Sequence, residues 1–302
     1  MDARALELPF DAGGLKGLSE RLLRSHHQNN YGGAVNRLNT IRAQWLELPV
    51  AAAPGFQLNG LKREELIASN SMLLHELYFD SLGGDGADMV PAMALALQAN
   101  FGSVQRWREE FMAMGKALGG GSGWVLLVFQ PREGTLVNQW AADHSHALAG
   151  GIPILALDMY EHAYHLDFGA AAGSYVDAFM DNIHWAQVYL RYQQAVEASS
   201  DALGASQDEL LQAAHVLDVR RAAIFEQADS LIPGAVWRDP QAVGEWGAGL
   251  PQREPVLVYC IYGNEVGRAT AMRLHAAGVQ ARFLRGGLDG WIAAGRAVQA
   301  KG

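Results

Sequence analysis

The sequence predicts an α+β domain followed by a smaller parallel α/β unit, and three observations carry that expectation. Apolar residues recur at helical spacing through most of the first 118 positions. Three apolar runs of strand length follow between residues 124 and 157, and helical spacing then returns. Beyond about residue 209, short buried strands alternate with helical stretches. Helices followed by strands and closing helices are the order of an α+β domain, whereas regular alternation implies a small parallel sheet.

The elements follow in order. Leu18, Leu22, Leu23, Tyr31, Val35, Leu38 and Ile41 place one or two long helices over 17–49. Asn59-Gly60 is read as a break, with helix resuming over 63–82, and Pro91 suits the start of further helices over 91–118. The glycine run 119–123 ends them. Strands are expected over Trp124–Phe129, Leu136–Ala142 and Ile152–Leu157, and closing helices from about Glu161 to Ala198. Residues 198–208 are small and polar and read as a linker between a domain at 1–197 and another at 209–302. In the latter, Ala214–Val219, Val256–Tyr259 and Ala281–Leu284 read as buried strands and Val266–Ala277 as a helix.

Composition narrows the function classes. Half of the 302 residues are hydrophobic and 18% are charged, which is a globular composition. The net charge of −9 and the lack of a basic cluster argue against a nucleic-acid partner. No apolar run is long enough to span a membrane, and the N-terminal residues lack the pattern of a secretory signal. The single cysteine, Cys260, excludes an internal disulfide framework. A cytoplasmic location is therefore expected.

Ten histidines are too many for abundance to mean anything, so their company decides. Asp158 ends an apolar strand and His162 follows four residues later, a credible chelating pair because a buried carboxylate needs a partner or a metal. His75 lies on an otherwise apolar helical face, and His26 within another helical run. Three imidazoles and one carboxylate suit a first-row transition metal.

Motifs in order then resemble the iron/manganese superoxide dismutase family over roughly residues 6–193. They are Leu8-Pro9-Phe10, Ser25-His26-His27 with Leu38-Asn39, Phe101-Gly102-Ser103, Gly121-Ser122-Gly123-Trp124, Asp158-x-x-Glu161-His162-Ala163-Tyr164 and Asn182-x-x-Trp185. The resemblance implies an N-terminal helical hairpin before an α/β portion, and one iron or manganese ion held by His26, His75, Asp158 and His162 with a solvent ligand. His27 would replace His26 if the register slipped by one. The implied reaction is dismutation of superoxide to oxygen and hydrogen peroxide, which needs a metal with two accessible oxidation states; zinc cannot supply them. His144 is the candidate to contact the bound solvent, with Gln139 as runner-up and His146 assigned to a loop. A histidine there, where manganese members carry glutamine, leans toward iron. Glu161 implies a homodimer.

Four positions depart from the family, Asn30, Ala34, His165 and Ala172. Asn30 and Ala34 stand where the entrance histidine and tyrosine are expected, with Tyr31 as a candidate substitute. His165 stands where the partner subunit would supply a tyrosine, so Asn30 and His165 form a compensating pair. The stretch Ala172-Gly173-Ser174-Tyr175 lacks the arginine that would attract superoxide, which weakens anion steering. These departures bear on turnover more than on metal binding.

Residues 211–302 resemble the rhodanese family through Asp218-Val219-Arg220, Ile232-Pro233-Gly234-Ala235 and Gly286-Gly287-Leu288-Asp289-Gly290-Trp291. That resemblance makes Cys260, at a strand end before Gly263, the nucleophile that would carry a persulfide sulfur. Ile261, Asn264 and Glu265 replace the cationic residues that receive thiosulfate, so an anionic donor is disfavoured. The leading expectation is a superoxide dismutase with an appended thiol domain. The alternatives are sulfur transfer or persulfide carriage through Cys260 behind a non-catalytic metal domain, and a metal-binding or dimerising module with neither activity.

Overall fold

The computed structural model describes residues 2–301. Ser19 caps α1 (Glu20–Ser25) with its side chain, and a π-helical turn over His26–Tyr31 joins α1 to α2 (Gly32–Glu47) without a break. Such wide turns are costly and concentrate at functional sites. The chain then reverses into α3 (Gly55–Asp80), and α2 and α3 pack as a hairpin through Leu38, Ile41 and Ala68.

Asn59-Gly60 does not break α3. A Cβ on Gly60 would meet no atom within 4 Å, so the glycine costs only its intrinsic helix penalty, about 1 kcal/mol. That is small beside the buried face of Ala68, Leu74, Tyr78 and Phe79 further along the same helix.

Two helices, α4 (Pro91–Phe101) and α5 (Val104–Ala117), lead into the antiparallel strands β1 (Trp124–Gln130), β2 (Thr135–Ala141) and β3 (Ile152–Asp158). The sheet order is β2-β1-β3, so the all-apolar β1 is the central strand and is buried from Trp124 to Phe129. Its register pairs Trp124 with Asp158. Gly123 has φ +136°, and a Cβ there would lie 2.2 Å from the Ala141 carbonyl oxygen, so only glycine lets the chain enter β1 at that point.

The helical region expected from about Glu161 to Ala198 comprises several helices. A 3-10 turn at Glu161–Ala163 precedes α6 (His165–Phe168), which ends at Gly169 with φ +53°; α7 (Ala172–Met180) and α8 (Trp185–Ser200) follow. Between α7 and α8 the Asn182 side chain bonds the backbone of Lys16 and the Ala178 carbonyl, fixing a loop where continued helix would run past the core.

The segment 198–208 is ordered structure with no free linker in it. Helix α8 runs to Ser200, β4 (Gly204–Ala205) joins a sheet, and α9 (Gln207–Leu211) opens on a Ser206/Glu209 capping box. Its small polar residues serve as caps and permit close packing; a Cβ on Gly204 would clash with the Arg285 guanidinium at 2.4 Å.

The rear unit contains β5 (His215–Asp218), α10 (Ala222–Glu226), β6 (Ser230–Leu231), β7 (Val236–Trp237), α11 (Val243–Trp246), β8 (Val256–Tyr259), α12 (Glu265–Ala276), β9 (Ala281–Leu284), α13 (Gly287–Ala293) and β10 (Gln299–Ala300). Strands β4, β9, β8, β5 and β7 form a parallel sheet in that order, and β6 pairs with β10.

The two units touch through α8 and α12. Tyr189 donates to Glu265, Arg268 reaches Ser200, and Arg273 donates to Asn100 and to the Gly134 carbonyl. Among the described residues no helix is long and apolar enough to cross a membrane.

Candidate metal centre

Four elements bring four side chains to one point. His26 opens the π-helical turn, His75 sits on α3, Asp158 ends β3 and His162 lies in the 3-10 turn that follows. One potential ligand atom from each falls within 4.8 Å of the others. His26 Nε2 and His162 Nε2 lie 3.0 and 3.2 Å from Asp158 Oδ2, and His75 Nε2 lies 3.5 Å from that oxygen and 3.4 Å from His162 Nε2.

The protonation pattern makes this cluster a cation site. His75 Nδ1 donates to the Ser71 carbonyl at 2.6 Å, so the neutral ring presents a bare lone pair at Nε2. Burial above all, and then the neighbouring His26, push His75 down to about 3, so the ring is neutral near pH 7. Burial likewise lowers His26, against the pull of Asp158. Burial alone would raise Asp158, but the facing His162 and His26 outweigh it and hold the carboxyl well below the usual range.

A lone pair and a carboxylate facing each other in a dry interior repel unless a cation lies between them. First-row ions bind nitrogen and oxygen at about 2.0–2.2 Å, which sets adjacent ligand atoms about 3.0–3.5 Å apart, the spacing found here. The residues therefore fit such an ion. Tyr78 and Phe79 pack on His26 with ring centroids 5.0 Å away, beside a buried His26 Nδ1 that has no hydrogen-bond partner. Trp124 meets His75 edge-on at 5.3 Å.

A cavity of about 260 Å³ leads to His75 and His162, and Asn30, Ala34, Arg37 and His144 also line it. His144 is half-buried, stacked on Tyr160 at 4.7 Å, and Tyr160 stacks in turn on His162 at 5.3 Å. The Trp124 indole N–H donates to His144 Nδ1 at 3.0 Å. An indole can only donate, so the proton of the neutral imidazole must sit on Nε2. Burial lowers the pKa of His144, which keeps that neutral form.

Tyr31 is not brought to this cavity. Its hydroxyl donates to Glu76 at 2.9 Å and accepts from the Leu6 N–H at 2.8 Å, and the side chain lines a separate pocket. The runner-up Gln139 is also engaged elsewhere, accepting from the Leu148 N–H, and His146 lies in the loop after β2. His27 turns outward to the Leu6 carbonyl. Ser71, Tyr160 and Arg37 were not singled out in the sequence; Ser71 stands four residues before His75, a spacing that could have flagged it.

In the rear unit Cys260 directly follows β8 and is 6% exposed. Burial pushes its thiol up, opposed by the N–H groups of Gly267, Gly263 and Asn264, while the Glu265 carboxylate reinforces the rise. Glu265 is pinned by Tyr189 from the front unit and by Arg221. Asp218 and Arg220 form a buried pair to which Tyr259 donates.

Residues 89–191 match the family described as iron/manganese superoxide dismutases, C-terminal domain, and residues 201–294 match the rhodanese-like domain. A protein named superoxide dismutase [Fe] from Cupriavidus metallidurans is 66% identical over 182 residues, covering 60% of this chain and 92% of that protein. The chain belongs to the iron/manganese superoxide dismutase family. Superoxide dismutase [Mn] 1 from Halobacterium salinarum is 36% identical (63% of this chain, 94% of that protein), and superoxide dismutase [Fe] from Aquifex pyrophilus 31% (61% and 88%). The expected fusion of a dismutase-type unit to a rhodanese-like unit is therefore present. Within this family frame Asn30 and Ala34 do line the cavity, whereas Ala172 is buried beside Gly119. Glu161 and His165 are both exposed.

Proposed function

We propose that His26, His75, Asp158 and His162 hold one iron or manganese ion and that the chain uses it to dismute superoxide. Two superoxide anions and two protons become one oxygen and one hydrogen peroxide. The observation that carries this reading is the convergence of bare imidazole nitrogens on the ionised Asp158 carboxylate at the end of an open cavity. When bound, the metal supplies the two oxidation states between which electrons pass. The 66% identity to a protein named as the iron enzyme supports iron over manganese.

The chain's own residues do the rest. Ser71 holds the His75 ring through Nδ1, and the Tyr160 N–H does the same for Asp158 through Oδ1. Trp124 fixes the His144 tautomer, so that Nε2 carries a proton toward the cavity and can donate it to solvent or substrate there. Asn30 is a second polar group on the path, and with Ala34 it leaves the entrance wider than a tyrosine would.

The front unit runs in this reading to Ser200, where α8 ends, and the rear unit begins within the stretch first read as a linker, because β4 is a strand of its sheet. The exposed Glu161 and His165 support a homodimer, with His165 of one subunit opposite Asn30 of the other. The lone buried cysteine suits the cytoplasm. A second reading, sulfur transfer through Cys260, is favoured by the rhodanese-like match over 201–294 and by the N–H groups of Gly267, Gly263 and Asn264 at its sulfur.

The test loads the purified protein with each metal in turn and assays superoxide removal. Expected are activity and stoichiometric metal, both lost in Asp158→Ala and His75→Ala and both kept in Cys260→Ser. A parent protein that retains metal yet removes no superoxide sinks the dismutase reading.

A further inference from the structure

We infer that Arg37 is the residue that draws the superoxide anion into the metal cavity, in place of the arginine missing at Ala172. The inference rests on the dismutase reading and adds a specificity-determining residue to it. Among the described residues that line the cavity Arg37 alone carries a fixed formal charge; the others are amides, small or aliphatic residues and imidazoles. The protein as a whole carries −9, so an anion approaches against the mean field and needs a local positive potential at the opening.

Arg37 lies on α2, on the same helical run as Asn30 and Ala34, and its side chain is 56% exposed. It sits at the rim, away from the dry interior. Its guanidinium pairs with Glu64 on α3, which is not among the cavity-lining residues. An exposed pair of this kind contributes little to stability and is screened by salt. Of the two partners only Arg37 lines the cavity. Arg37 and His144 line the same cavity, so the charge acts on the space that leads to His75 and His162. Charge placed at the mouth of a low-dielectric cleft raises the capture rate of an opposite ion, and added salt erases the gain.

The experiment measures the second-order rate of superoxide removal against ionic strength for the iron-loaded parent, Arg37→Gln, Arg37→Lys and Glu64→Gln. Azide binding to the ferric protein, followed by absorbance, is the readout that needs no turnover. At low salt Arg37→Gln is expected to lower the rate and the azide affinity about threefold, and Arg37→Lys to keep both. Glu64→Gln is expected to raise them, and all four proteins to converge in about 0.5 M salt, where the Debye length is only a few Å. Metal content and melting temperature stay at the parent's values. Arg37→Gln with the parent's rate, salt slope and azide affinity overturns the inference. An iron-loaded parent with no dismutase activity overturns the underlying reading instead.

Discussion

The front and rear sites are both built around a buried reactive group, yet burial acts on them in opposite senses. In front, it keeps His26 and His75 neutral beside an ionised Asp158, so the site is completed by a cation. Behind, it pushes the Cys260 thiol up, and Glu265 adds to that push. A cavity reaches the first group, whereas the second is 6% exposed in a loop tied to the neighbouring unit. Desolvation alone therefore does not identify a working site. What distinguishes the front pocket is that its polar atoms have no sufficient partner within the protein.

The largest effect that would sharpen this contrast falls on His144. If its Nε2 proton serves the cavity, His144→Leu lowers kcat about tenfold to a hundredfold with metal content unchanged, and His144→Gln recovers most of the loss, since an amide also donates. Loss of metal from the leucine variant would instead make His144 a structural support of the ligands. A smaller effect is expected behind. Glu265→Gln removes the carboxylate nearest the thiol loop, so alkylation of Cys260 by anionic iodoacetate rises several-fold and by neutral iodoacetamide less. Equal changes with the two reagents would mean that access, and not charge, guards the sulfur.

Much of this contrast was legible in the sequence because its signals are local. Asp158 and His162 share one turn at a strand end, and Cys260 follows an apolar strand before Gly263, so neighbouring residues announce them. His26 and His75 come from other elements, and it was the family resemblance, with its ordered motifs, that joined them to the pair. The direction of Tyr31 was not legible. The π-helical turn over His26–Tyr31 inserts an extra residue into the helical count, and the hydroxyl ends on Glu76 and Leu6. The stretch 198–208 misled for another reason. Serine, glycine and aspartate favour flexible linkers, but they also make caps and close contacts, and only tertiary packing decides between the two.

The smallest effect tests whether the two sites belong to one cooperative body. Gly60 is exposed, lies inside α3 and faces open space, so Gly60→Ala is expected to stabilise the front unit by about 0.5–1 kcal/mol without touching either site. Met272 of α12 packs into the front core, and Arg273 bonds Asn100 and Gly134 across the contact. Opening the rear unit should therefore require breaking front-unit contacts. In a urea series, exposure of Cys260 to iodoacetamide is expected to move to higher urea in Gly60→Ala, in step with the loss of front-unit helix. If the front transition moves and the alkylation profile stays, the rear unit opens by itself, and Glu265 would then act only while the α8–α12 contact is closed.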